Sequence, residues 1–369
     1  MARLTTRVER SDQLDSLRFI AILFVLFDHF AAPSLFSPGT ISVRFFLMLS
    51  GFLITQTLHR YLSFGAHHRR RVLASFYGRR ALRIWPLHYA ILAALLVGGA
   101  LSIKQFAFHG TFITNIVQAW KDTWHVPWFS AHLWTISVQE QFYLVWPLLF
   151  CALQRRSRQV LLTILIAAAM AFRAGMEVAG FGDAVGFYTL PFASFDALAG
   201  GSLLALFQHR LSTPLPYARP ITFALIAACL GMGLLDHSLF SVILPTLWLV
   251  PLGVLTICAY QRRLGSLGAI LEHPALVFLG RISLGIYLLH LPVWYAFMTF
   301  SPKPLSLVVG STSWTTFFLM TTATLACAAL SWLLFEKPLQ QFRKYMPYVA
   351  EPRPTGEGLG RPRPVGGLS

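Results

Sequence analysis

Arg18 and His29 stand eleven positions apart in a single apolar run, Leu17 to Phe30. Hydrocarbon tolerates neither group unless it faces a partner or a cavity, so both are candidates for chemistry. A guanidinium fork binds phosphate or carboxylate, and an imidazole takes up or gives up a proton near neutral pH. On a helix rising about 1.5 Å per residue, eleven steps span about 16 Å and close three turns to within about 20°, so the two side chains share one face. Asp28 points about 100° away from His29 and is expected to pair elsewhere. Arg80 and Arg83, at i and i+3, present two forks on one helical face. That arrangement suits phosphate, although simple flanking of a membrane helix by positive charge places the same residues there. Glu140 lies about two turns into an apolar segment, where it must be paired, protonated or wetted. Ser283, Tyr287 and His290 follow an i, i+4, i+7 spacing, a polar seam whose ordinary use is interhelical hydrogen bonding.

The elements that position these residues follow from composition. The chain has 369 residues, 56% hydrophobic and only 12% charged, with a mean hydropathy of +0.60. That is no soluble domain but an all-α polytopic membrane protein. Hydropathy and breaker residues predict about ten transmembrane helices, near 17–31, 41–58, 82–101, 133–152, 159–176, 187–207, 220–235, 241–260, 274–298 and 310–335. With the N-terminus inside, 24 of the 30 Lys and Arg fall in inner segments and three, Lys104, Lys121 and Lys303, in outer loops. The asymmetry places both termini in the cytoplasm. It also accounts for the net charge of +16 without nucleic acid, because the basic residues sit in short loops rather than along one folded face.

Two regions are not simple spans. The outer stretch 102–132 mixes Trp120, Trp124, Trp128 and several Phe with His109, Lys121, Asp122, His125 and His132, a composition suited to the headgroup interface or to a re-entrant lid. The inner stretch His59–Arg83 is the densest basic cluster, which anionic lipid headgroups alone would explain. Residues 1–345 read as one membrane domain, and the Pro- and Gly-rich 346–369 as a disordered tail. The four cysteines are isolated in apolar stretches and read as packing residues, no metal-ligand spacing occurs, and the N-terminus shows no cleavage site for a signal peptide. Ser50-Gly51 permits close helix approach in the span that Arg44 enters. No nucleophile elbow, Walker loop or dinucleotide turn is present.

In order along the chain, Leu14-Asp15-Ser16-Leu17-Arg18 with ten residues before His29, Phe46 to Ile54 around Ser50-Gly51, Arg79-Arg80-x-x-Arg83-Ile84-x-Pro86, Trp134 through Pro147, Tyr287-Leu288-x-His290 and Glu336-Lys337-Pro338 resemble the type-3 integral-membrane acyltransferase family. Its members O-acylate O-antigen, exopolysaccharide, nodulation factors and macrolides. The resemblance implies an acyltransferase, most simply an O-acetyltransferase, moving an acyl group from cytoplasmic acetyl-CoA to a hydroxyl of a carbohydrate or lipid-linked glycan, as a multi-pass protein of a bacterial inner membrane. It implies His29, Arg18 and Glu140 as catalytic, Arg80, Arg83 and Arg18 as donor contacts, Trp134, Ser137, Tyr287 and His290 as acceptor contacts, and no metal. His29 would serve as general base or as transient acyl carrier, two roles the residues leave open. The chain departs from the pattern at Ser16, Arg44, Thr135 and Gln139. Many relatives also carry a fused periplasmic hydrolase-like domain, and its absence here implies that transfer needs only this domain or a separate partner. The competing expectation is a transporter or flippase of a lipid-linked glycan, which would move substrate without consuming acetyl-CoA.

Overall fold

The computed structural model describes residues 11–31, 37–62, 69–124, 126–208, 224, 226–227 and 237–348, and among them every regular element is a helix. Among the described residues, seven helical stretches are long and apolar enough to cross a membrane: Pro38–Leu62, Arg69–Val97, Arg155–Val178, Val185–Phe207, Ser241–Tyr260, Ser283–Phe300 and Trp314–Tyr345. Two further helices, α1 (Asp12–Phe30) and α6 (Trp134–Ala152), have 19 residues each but carry the polar residues of the expected site. Both are screened from lipid by protein over much of their surface. The expected span 220–235 lies almost wholly outside the described residues.

Helix α1 begins at Ser11, whose hydroxyl accepts from the Leu14 N–H and donates to the Ala259 carbonyl at 2.7 Å. It runs beside the helix Pro274–Arg281, where Gly280 lies directly on the backbone of Asp15 and any side chain there would collide with it. The Ser16 hydroxyl donates to the Leu271 carbonyl in the same region. Helix α2 (Pro38–Leu62) and helix α9 (Pro191–Phe207) make the most extensive helix–helix contact among the described residues. Gly51 rests on the Leu198 carbonyl and Gly201 on that of Met48, so the backbones touch. In lipid, burying an apolar side chain against a neighbour gains little, and close backbone approach plus interhelical polar links hold helices together instead.

One such link is an ion-pair group buried between helices. Arg44 of α2 meets Asp196 of α9 at 2.5 Å, and Arg173 of α7 (Arg155–Val178) meets the other carboxylate oxygen at 3.0 Å. Arg173 also donates to the carbonyls of Val242 and Ala193, and Thr246 donates to Asp196 at 2.6 Å. Four elements are thereby tied through one aspartate.

Helix α3 (Arg69–Val97) starts well before the expected 82, because Val72, Phe76 and Ser75 continue its buried face through the basic cluster. Arg80 and Arg83 are therefore helical, as their i, i+3 spacing predicts, and Arg79 lies on the same helix. The expected single span 274–298 breaks at Ile282, and 241–260 breaks at Trp248. Within 102–132, α4 (Ile103–Gly110), α5 (Thr114–Lys121) and a 3-10 turn (Trp128–Leu133) form a folded cap. The Asn115 and Gln141 amides pair between α5 and α6, and Gln118 donates to the Ala131 carbonyl. At the C-terminal end, residues 346–348 are packed rather than tail-like. Arg79 donates to the Met346 carbonyl, Ser75 to that of Pro347, and Tyr348 stacks on Tyr61 with ring centroids 4.3 Å apart.

Candidate active site

Arg18, Arg80 and Arg83 converge on one open cavity of about 720 Å³. Its walls come from α1, α2, α3, α6 and the helix Ser283–Phe300, here α14. Arg18 is held by Asp15, whose buried carboxylate lies 2.6 Å from its guanidinium. The Arg80 guanidinium stands 4.9 Å over the Tyr143 ring, a cation–π contact that leaves its edge donors toward the cavity. Three arginines around one space, with one of them locally paired, leave an electropositive pocket suited to phosphate.

The far wall of the cavity is made of hydroxyls. Tyr287 donates to the His132 carbonyl at 2.7 Å, and the Thr135 hydroxyl lies 2.5 Å from the Tyr287 oxygen. Beyond Tyr287 stand three imidazoles. The His29 and His290 ring centroids are 5.0 Å apart, and those of His290 and His132 are 4.6 Å apart. A carbonyl can only accept, so two of the tautomers follow from geometry. His29 Nδ1–H donates to the Val25 carbonyl at 2.8 Å and His290 Nδ1–H to that of Tyr287 at 2.6 Å. Each then carries its lone pair on Nε2. A second, much smaller pocket adjoins His132, lined by His88, Ser130, Phe129, Leu133 and aliphatic residues of α3 and α14, most of them buried.

The structure brings together Arg18, Arg80, Arg83 and Tyr287 on the cavity, and His29 with His290 behind it. It does not bring in the rest. On α6 the cavity face is Thr135, Ile136, Gln139 and Tyr143, which lie within about 100° of one another around the axis. Trp134 falls about 100° to one side of Thr135, with Ser137 and Glu140 beyond the other edge of that face, so none of the three lines the cavity. Ser137 instead donates to the Leu133 carbonyl. The Glu140 carboxylate accepts from the Trp85 indole at 3.1 Å, on a tryptophan that is 44% exposed. Asp28, as expected, turns from His29 and accepts from the Gly39 N–H.

His132 is the member sequence reasoning left without a role, since a histidine ahead of a span reads as an interface residue. The nearest signal was its position at the head of the segment containing Glu140. Thr135 and Gln139 stood out only as departures from a pattern. Among the described residues, no three His, Cys, Asp or Glu side chains converge to hold a metal.

Comparison with known proteins gives this geometry a context. A family model described as an acyltransferase domain matches residues 11–333. The chain is 25% identical to peptidoglycan O-acetyltransferase OatA of Listeria monocytogenes, over 91% of this chain and 57% of the relative. It is 26% identical to O-acetyltransferase OatA of Staphylococcus aureus, over 76% of this chain and 50% of the relative. It is 27% identical to nodulation protein 10 of Rhizobium leguminosarum, over 90% of this chain and 94% of the relative. The chain thus spans about half the length of the OatA proteins and nearly all of the nodulation protein. No solved structure gives a significant match. The match of the family model over most of the chain, from the cap of α1 to the end of the last long helix, places this protein in the acyltransferase domain family.

Proposed function

We propose that this chain is a membrane O-acyltransferase that moves an acyl group, acetyl in the simplest case, from a cytoplasmic acyl-CoA to a hydroxyl of a surface or exported carbohydrate. The observation that carries this reading is the junction at Tyr287: an arginine-rimmed cavity ends on the Tyr287 and Thr135 hydroxyls, and Tyr287 packs on His290, whose ring neighbours His29 with its lone pair on Nε2. The names of the OatA relatives favour an acetyl group, and that of the Listeria protein a glycan acceptor.

Arg80, Arg83 and Arg18 would grip the phosphates of the donor, with Asp15 orienting Arg18, while the thioester end reaches toward Tyr287. His29 acts from Nε2, either removing the hydroxyl proton as oxygen attacks the thioester carbonyl, or taking the acyl group and passing it on. Both routes need the Val25 carbonyl to hold the Nδ1 proton in place. The three-to-24 division of basic residues supports cytoplasmic termini and a donor site on the inner face of a bacterial inner membrane.

The test is acetyl transfer from radiolabelled acetyl-CoA to glycan by the purified, folded chain. His29→Ala and Arg18→Ala are each expected to abolish or severely reduce transfer, and undiminished activity in either overturns the reading. Trapping labelled protein before the acceptor is added separates the two routes, since only the acyl-carrier route leaves acetyl on His29.

A further inference from the structure

The donor cavity has a direction that can be read along its walls. On α6 it runs from Thr135, beside Tyr287, to Tyr143, under the Arg80 guanidinium, eight residues or about 12 Å along the axis. The reading above, on which this inference rests, puts the thioester at the Tyr287 end. The nucleotide end of an acyl-CoA then lies beyond Arg80, toward the start of α3. A coenzyme A thioester carries its diphosphate next to the pantetheine arm and a further phosphate on the ribose 3′ position, farther from the sulfur. Arg80 and Arg83 line the cavity and suit the diphosphate. The ribose phosphate needs a cation farther out.

The chain places its C-terminal strap there. Arg79 and Arg83, at i and i+4, share one face of α3, with Arg79 about 6 Å nearer the start of the helix. The Arg79 guanidinium donates to the Met346 carbonyl at 2.6 Å and to the Arg343 carbonyl at 3.2 Å, and it lies 4.8 Å over the Tyr348 ring. Gly78, next to Arg79, leaves the space that the Met346 sulfur fills. The strap is thus fixed to the face of α3 that carries Arg83. In its 3-10 turn, Gln341–Tyr345, the side chains of Phe342, Lys344 and Tyr345 are exposed, whereas Arg343 is half-buried and its Nε is covered. Arg343 stands close enough to Arg83 for the two charges to repel each other, as do Arg18 and Arg80. The Tyr348 hydroxyl lies within electrostatic reach of Arg79, Arg80 and Arg343. Glu336 and Glu140, within reach of Arg83 and Arg80, offset part of the repulsion. An anion set between gathered guanidiniums relieves more of it.

We infer that Arg343 is a further donor-binding residue, presented by the C-terminal strap to the ribose 3′-phosphate of the acyl-CoA while Arg80 and Arg83 hold the diphosphate. Arg79 and Tyr348 are positioning residues: they fasten the strap to α3 and α2, through Ser75, Gly78 and Tyr61, and so fix where Arg343 stands. The donor site is then closed by a segment more than 250 residues away in sequence from the arginines that it completes.

Acetyl-dephospho-CoA, which lacks only the ribose phosphate, isolates the contact. The full chain is assayed in everted membrane vesicles, with either radiolabelled thioester outside and the membrane's own glycans as acceptor. Wild type is expected to show a KM for acetyl-CoA about tenfold below that for acetyl-dephospho-CoA, the size of one charge-assisted contact. Arg343→Gln is expected to raise the acetyl-CoA KM to the dephospho value with maximal rate unchanged, and to leave the KM for acetyl-dephospho-CoA where it was. Turnover of that second thioester also shows that the variant is folded. Arg343→Lys, which keeps the charge, is expected to fall between the two. Tyr348→Ala is expected to behave as Arg343→Gln does, and Tyr348→Phe, which keeps the ring stack, as wild type. An unchanged acetyl-CoA KM in Arg343→Gln or Tyr348→Ala, an equal rise for both thioesters, or a wild type indifferent to the ribose phosphate overturns the assignment. Absence of label from both thioesters in wild-type vesicles instead removes the O-acyltransferase reading, and this assignment with it.

Discussion

At the scale of single residues, the site depends on small groups that decide what a larger one can do. The Val25 carbonyl determines which nitrogen of His29 is basic, and Asp15 determines where the Arg18 fork points. Arg80 and Arg83 have the clearest separable task. If they hold donor phosphates, Arg80→Lys and Arg83→Lys raise the KM for acetyl-CoA by roughly tenfold each, since a point charge replaces a bidentate fork. The same variants leave acetyl-pantetheine, which has no phosphate, turned over at the wild-type rate. Measuring both donors side by side checks the assignment, and equal losses on the two would contradict it. Glu140 carries the opposite expectation. Its carboxylate meets Trp85 and not the cavity, so Glu140→Gln, which keeps an oxygen for the indole N–H, retains most of the transfer activity under the same assay.

At the scale of elements, the protein has to hold helices together in a solvent as apolar as their own side chains. The Arg44–Asp196–Arg173 group does this for α2, α7 and α9, and it contains two cations for one anion. Asp196→Asn leaves both guanidinium groups buried without a counter-charge and is expected to cost about 3–5 kcal/mol. A thermal unfolding series in detergent would show the loss, and Arg44→Met added to Asp196→Asn should recover part of it by removing one stranded charge. Gly51→Leu is expected to separate α2 from α9, because the added side chain meets the Leu198 carbonyl. Since Val43, Phe46 and Ser50 of α2 wall the cavity, that variant should lose donor binding along with stability, read as a raised KM in whatever folded fraction survives.

At the scale of the whole molecule, orientation and assembly are the issues. Single cysteines introduced at Lys104 or Lys121, in a background without native cysteines, should react with an impermeant maleimide added to intact cells. One at Arg156 should react only after permeabilisation. The reverse pattern would invert the topology and put the arginine cavity on the wrong side for a cytoplasmic donor. The folded cap over 102–133 also belongs to this scale. It was expected as an interface or lid segment, and it is a hydrogen-bonded layer of short helices whose 3-10 turn carries His132 and Ser130 to the second, smaller pocket.

Much of this molecule was legible without coordinates. Apolar runs interrupted by basic loops predict membrane helices, because the cost of placing Lys and Arg across a bilayer is local and additive along the chain. The shared face of Arg18 and His29, and that of Ser283, Tyr287 and His290, follow from the helical repeat alone. What only tertiary structure decided is which face of each helix meets protein. In a membrane chain the lipid-facing and protein-facing residues are equally apolar, so periodicity that would mark the inner face of a soluble helix is missing. Nothing local showed that α6 turns Thr135 and Gln139 to the cavity and Glu140 to Trp85, that Asp196 would answer Arg44 across more than 150 residues, or that His132 would close a row begun by His29.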